Sequence, residues 1–209
     1  MLNIFPKKKL EMILEEIKVD YKQKIYFEQY QTPVEIVSLI LFTATYTFND
    51  IIGKVVCDFG CGCGRFALGS KILGAKRVIG IDIDPDAIRC SLNYAKKLKL
   101  KNIDWILGDL SYLNIKCNTV IQNPPFGTKK RHSDIIFLRK AFGCANVVYS
   151  IHKYTEEIRR YIEKVARKEK FIISKIIPLK LEIPFTYEFH IKPKYYVDAA
   201  VFRFERVTM

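Results

Sequence analysis

The chain contains no C-x-x-C pair, no internal repeat, no low-complexity tract and no long linker. No apolar run reaches the roughly 18 residues that span a bilayer. The opening stretch MLNIFPKKKLEMILEE carries lysines but not the apolar core of a secretory signal after them. These absences argue against a zinc ribbon, a solenoid, a membrane span and an exported protein. The expectation is a cytoplasmic protein with no membrane partner. Its six cysteines (Cys57, Cys61, Cys63, Cys90, Cys117 and Cys144) are then expected as free thiols. No metal site is expected either, because the cluster Cys57, Cys61, Cys63 sits among glycines that suggest another role.

Acidic residues are also in short supply. Lys and Arg number 35 against 22 Asp and Glu, a formal charge of +13. Such an excess favours an anionic partner, nucleic acid before membrane, or else reflects the lysine-rich surface of heat-adapted proteins. Nearly half of the 209 residues are hydrophobic, enough for one full core.

Residues 8–18 space Leu10, Ile13, Leu14 and Ile17 as a helix. Thr32, Pro33 and Glu35 read as a capping box opening a second helix. From there strands alternate with helices. Strands are predicted at Lys54–Asp58, Arg77–Asp82, Ile103–Leu107, Thr119–Gln122 and Asn146–Ser150. Helices are predicted at Phe66–Leu73, from Asp84-Pro85 to about Leu100, and at 134–143 and 155–168. Two final strands, Phe171–Ile177 and Tyr196–Glu205, have no helix between them. The pattern predicts an α/β fold with a mostly parallel sheet, helices on both faces and an antiparallel pair at one edge. Residues 1–50 read as a helical extension and 51–209 as the core of a single domain. The segment LKLEIPFTYEFHIKPK between the last strands is long for a hairpin, which suggests a functional loop.

CDFGCGCGRF follows the first strand and opens a helix, with Gly60, Gly62 and Gly64 alternating. Glycine accepts positive φ and lets backbone approach a ligand closely. Asp82 ends the next strand, 18 positions after Gly64, where a carboxylate can accept hydrogen bonds from both hydroxyls of a ribose. The G-x-G-x-G spacing, rather than G-x-G-x-x-G, favours S-adenosylmethionine over a dinucleotide. Asp109, after the third strand, can accept the adenine amino hydrogens of such a cofactor, or is an ordinary loop aspartate.

VIQNPPFGTK raises the second question. Pro124 and Pro125 stop the fourth strand rigidly, with Asn123 and Phe126 on either side. The lone pair of an aromatic amine is delocalised into its ring, so such an amine needs orientation more than a base. The Asn123 side-chain oxygen and the Pro124 carbonyl can each accept one amino hydrogen and aim the lone pair at a methyl donor. Phe126 can stack on the base. Lys129, Lys130 and Arg131 follow at once and can hold flanking phosphates, or simply form a solvated loop.

Four segments together, FEQYQTP (27–33), DFGCGCGRF (58–66), GIDIDPDA (80–87) and NPPFGTK (123–129), resemble the methyltransferase-like protein 5 family of archaea and eukaryotes. That family methylates adenine N6 in small-subunit ribosomal RNA. YSIHK (149–153) and FTYEFH (185–190) look like it too, so the similarity spans nearly the whole chain. The resemblance implies a Rossmann-like class I methyltransferase fold of seven strands, the last inserted antiparallel. It implies cofactor contacts from Gln29, Thr32, Gly60, Cys63, Arg65, Asp82, Asp109 and Leu110, with Asp58, Gly64 and Ile83 in the same site. Arg65 stands where some members carry a small aliphatic residue, so a main-chain contact is implied there. The catalytic corner would be Asn123, Pro124, Pro125 and Phe126. His152, Lys153 and His190 join Lys129, Lys130 and Arg131 as substrate-side candidates, although a lone histidine is more often packed than reactive. The implied partners are ribosomal RNA or the small ribosomal subunit, plus a small zinc-binding activator pairing with the Ile103–Leu107 edge strand. Trp105, the single tryptophan, marks that edge as apolar. Competing readings are a protein glutamine N5 methyltransferase, whose amide poses the same orientation problem, a DNA adenine methyltransferase, and a non-enzymatic RNA-binding module.

Overall fold

The computed structural model of the chain describes residues 4–22, 24, 30–126, 133–183 and 195–207. Two short helices come first, α1 (Lys7–Glu15) and α2 (Val34–Phe42), the second running into a π-helical turn at Thr43–Thr47. Then follow β1 (Val55–Phe59), α3 (Arg65–Ile72), β2 (Arg77–Asp82), α4 (Pro85–Lys97), β3 (Ile103–Leu107) and β4 (Thr119–Gln122). The chain continues with α5 (Ser133–Cys144), β5 (Val147–Lys153), α6 (Glu156–Lys168), β6 (Phe171–Ile183) and β7 (Tyr195–Arg206).

The seven strands form one sheet in the order β3-β2-β1-β4-β5-β7-β6. β1 to β5 are parallel to their neighbours, while β7 runs antiparallel to both β5 and β6. Side chains alternate between two cores, as a sheet covered on both faces requires. Ile121, Tyr149, Ile151 and Val201 face α1–α4, whereas Val120, Val148, Phe202 and Phe204 face α5 and α6. Asp84 caps α4 by accepting from the Asp86 N–H, and Thr155 caps α6 by accepting from the Ile158 N–H.

Four expectations need correction. The capping box at Thr32 does not form: α2 starts at Val34, Pro33 is its N-cap, and no side chain caps it. The Thr32 hydroxyl is taken by a tertiary partner instead, the Asn123 amide. The cysteines are not all free thiols, because Cys63 in the glycine loop is bonded to Cys90 of α4 with their Cα atoms 5.1 Å apart. Packing of α4 beneath the loop creates this pair, which a spacing of 27 residues does not announce. β5 runs on to Lys153, so His152 and Lys153 belong to a strand. β6 runs on to Ile183, so 179–183 are paired with β7 rather than part of a loop.

At the sheet edge, β3 pairs only with β2 among the described residues. Trp105 does not make that edge an exposed apolar strip. Its ring lies inward over Gly80 and Gly64, where a Cβ on Gly64 would come within 2.7 Å of the indole. Leu107 is the exposed apolar residue of the strand.

Candidate active site

The C-terminal ends of β1, β2 and β4 open into a cavity of about 1010 Å³. The switch in strand order between β1 and β4 leaves this crevice, the usual ligand position of an open parallel sheet. One end is backbone. Gly60, Gly62 and Gly64 take φ of 70°, 53° and 84°, a region that costs other residues strain. This lets the loop fold back over β2, with the N–H groups of Gly60 and Cys61 both donating to the Ile81 carbonyl at 2.9 Å. Asp82 accepts from the Gly62 N–H at 2.8 Å through Oδ2 and from the Asp84 N–H at 2.9 Å through Oδ1. Burial raises its pKa, partly offset by those two donors. The carboxylate lines the cavity, and an ionised carboxylate, with about four acceptor positions, can take further hydrogen bonds from a neutral diol.

Gly60, Cys63, Arg65, Asp82, Ile83, Asp109, Leu110 and Thr32 all line the cavity. Asp58 and Gly64 are not among its lining residues. Asp58 is buried beneath the loop, accepting from the Ala67 N–H at 2.9 Å, and burial pushes its pKa up to about 8. Gly64 instead makes room for Trp105. Asp109 accepts from the Ser111 N–H and so caps a 3-10 turn at Leu110–Tyr112.

The other end of the cavity is built from side chains. Asn123 and Pro125 line it, while Pro124 is buried behind them. The Ser133 hydroxyl donates to the Pro125 carbonyl at 3.3 Å and ties the corner to the start of α5. Tyr30, which the sequence reading did not single out, donates its hydroxyl to Asn123 Oδ1 at 3.1 Å. Its ring tilts against Phe126 with centroids 5.7 Å apart, and the Lys153 ammonium lies 5.9 Å from the Phe126 centroid. The signal for Tyr30 was its place in FEQYQTP, between two residues already assigned. The Arg65 side chain is engaged within the protein: the guanidinium donates to the Thr32 and Ile17 carbonyls at 2.8 and 3.0 Å. Burial lowers its pKa.

His152 is corrected as a substrate contact, because it has no exposed surface. It lies 2.7 Å from Ser150 Oγ and 3.2 Å from Asp134 Oδ2. The Gln122 side-chain N–H donates to that same Ser150 hydroxyl at 3.0 Å. Burial raises the Asp134 pKa, but the His152 hydrogen bond and charge outweigh it and hold the carboxyl low. The geometry is that of a Ser-His-Asp relay, yet Ser150 is fully buried and no substrate can reach it. Its effect is to brace β4 and β5 against α5 behind the Asn123 corner. Gln29, Lys129, Lys130, Arg131 and His190 lie outside the described residues.

A sheet of this order, with a glycine loop, a strand-ending aspartate and an asparagine-proline corner on one crevice, defines an S-adenosylmethionine-dependent methyltransferase of the class I fold. Residues 52–176 match the family model described as a methyltransferase domain. The chain is 39% identical to an uncharacterized protein of Methanocaldococcus jannaschii, over 96% of this chain and 94% of that one. It is 37% identical to the rRNA N(6)-adenosine-methyltransferase METTL5 of Danio rerio, over 94% and 97% respectively. A crystal structure from Pyrococcus horikoshii superposes with a TM-score of 0.88 at 36% identity, covering 98% of each chain. The chain belongs to the METTL5-like methyltransferase family.

Proposed function

We propose that the protein transfers a methyl group from S-adenosylmethionine to N6 of an adenine in small-subunit ribosomal RNA. One observation carries the reading: Asn123 and Asp82 face the same cavity, so an amine held at one end meets a donor held at the other. The rRNA activity in the name of the Danio rerio relative supports the choice of substrate, and so does the charge of +13.

The residues present fit the cofactor. Asp82 and Asp109 offer carboxylates to a ribose and an adenine edge, and the positive-φ loop brings backbone close without side chains in the way. When bound, S-adenosylmethionine supplies an electrophilic methyl carbon on a sulfonium, and the sulfur keeps the electron pair of the broken bond. Asn123 Oδ1 and the Pro124 carbonyl accept the two amino hydrogens of the target adenine. This draws its nitrogen out of conjugation and directs the lone pair at the methyl carbon. The same two oxygens stabilise the positive charge that develops on nitrogen as the N–C bond forms. That charge makes the amine strongly acidic, so a proton leaves to water without a dedicated base. Phe126 supplies an apolar face for an unstacked base, and Lys153 beside it sets a positive charge near the RNA backbone. An adenine in a loop or bulge is the preferred target, since a paired base costs a few kcal/mol to extrude. The outer edge of β3 is where strand addition by a small zinc-binding activator would take place.

The test is to incubate the purified protein with small-subunit RNA and labelled donor, digest to nucleosides and map the product. The expected product is N6-methyladenosine at one nucleotide, with RNA binding that weakens steeply as salt rises. Label appearing in protein glutamine or in DNA, with RNA unmodified, overturns the assignment.

A further inference from the structure

Resting on that reading, we infer that Tyr30 and Thr32 are positioning residues for methyl transfer: together they fix the orientation of the Asn123 amide. Asn123 Oδ1 accepts from the Tyr30 hydroxyl at 3.1 Å, and Asn123 Nδ2 donates to Thr32 Oγ1 at 3.0 Å. The amide is therefore held at both ends. Any partial rotation about its last torsion breaks both bonds at once.

A half-turn would exchange oxygen and nitrogen, and either hydroxyl can in principle donate or accept. The chemistry of the two hydroxyls opposes that exchange. A phenol is the more acidic group and delocalises its lone pair into the ring, so Tyr30 is the better donor and belongs opposite the amide oxygen. An aliphatic hydroxyl is the better acceptor, so Thr32 belongs opposite the amide nitrogen. A carbonyl oxygen has two lone pairs. With one on Tyr30, the other remains for the amino hydrogen of the target.

The two hydroxyls are themselves held in place. Arg65, on the first turn of α3, donates to the Thr32 carbonyl at 2.8 Å and to the Ile17 carbonyl at 3.0 Å. Gln31 donates to the same Ile17 carbonyl at 2.9 Å. The Tyr30 ring leans on Phe126. The segment 30–32 is thus a strap from the glycine loop to the Asn123 corner, and it registers one end of the cavity against the other. This also accounts for the missing helix cap at Thr32, whose hydroxyl serves the corner instead.

Orientation is what the proposed chemistry demands of Asn123, and a misplacement near 1 Å costs on the order of 10²-fold. Tyr30→Phe keeps the ring and removes only the hydroxyl. We expect its kcat on RNA adenine to fall about tenfold, with KM for RNA and the Kd for S-adenosylmethionine unchanged and the melting temperature preserved. Thr32→Val is expected to lower kcat similarly, and Thr32→Ser to recover most of that loss. An unchanged kcat in Tyr30→Phe overturns the assignment, as does a rise in KM alone. A higher kcat does so too, since the hydroxyl would then be competing with the target amine for Oδ1. If Thr32→Val fails to fold, Tyr30→Phe and Thr32→Ser decide between them. A wild-type protein that methylates no RNA adenine removes the functional reading and this assignment with it. An active wild type beside an unaffected Tyr30→Phe removes only the assignment.

Discussion

The two ends of the cavity are made of different material. The glycine-loop end is largely backbone, contributed by the stretch from Gly60 to Ile83 with Gly108, Asp109 and Leu110 after β3, and its shape follows from three positive-φ glycines and one carboxylate holding two N–H groups. The Asn123 end is side chain. It is assembled from Tyr30 and Thr32 of the N-terminal segment and Asn123 and Pro125 after β4, while Phe126 packs against Tyr30 and Lys153 lies over Phe126, both outside the cavity lining. A common fold can thus keep one end constant while the other is changed by side-chain substitution, because binding shared by many substrates needs only backbone geometry.

The largest expected effect separates the ends directly. Asn123→Ala removes an acceptor and leaves the glycine loop untouched. Methyl transfer should fall on the order of 10³-fold, while calorimetric titration shows cofactor affinity within a few-fold of the parent. A matching loss of cofactor affinity would mean that the two ends are not separable. Gly64→Ala attacks the opposite end. It forces a side chain onto φ 84° and drives a Cβ against Trp105. Strain and overpacking together should cost about 2–4 kcal/mol of stability in denaturant titration, and cofactor affinity should fall with it. An unaltered midpoint would show that the loop is more adaptable than its geometry suggests.

The smallest effect, counted per pH unit, is a pH dependence at the glycine-loop end. Asp58 has a carboxyl raised from 3.8 to about 8 by burial. Between those values the folded state holds a proton that the unfolded chain has released. Stability should therefore fall as pH rises through this window, by at most about 1.4 kcal/mol per pH unit. Asp58→Asn keeps a side-chain oxygen for the Ala67 N–H and should flatten the slope. A slope that survives the substitution assigns it to another group.

Legibility followed the same division. The strands Ile103–Leu107 and Thr119–Gln122 and the Asp84 and Thr155 helix starts lie where local periodicity and turn chemistry put them. The sheet order with its antiparallel β7 agrees with the family resemblance. Errors arose where a residue's partner lies far along the chain. Thr32 has good capping credentials, and only the approach of Asn123, 91 positions away, redirects its hydroxyl. His152 sits in a family-like segment, but continuation of β5 turns it into the core toward Asp134. Trp105 suggests an exposed edge, until two glycines on neighbouring elements prove to be the space it fills.

What the sequence determined by itself is the class of chemistry. Glycine spacing, a strand-ending aspartate and a proline-stiffened asparagine act through backbone conformation and residue type, both of which are local properties. The orientation of the Asn123 amide, the bond between Cys63 and Cys90, and the inward turn of Trp105 and His152 were settled only by the tertiary structure. Each depends on distances between segments that chain order leaves open and that packing on the two faces of the sheet closes.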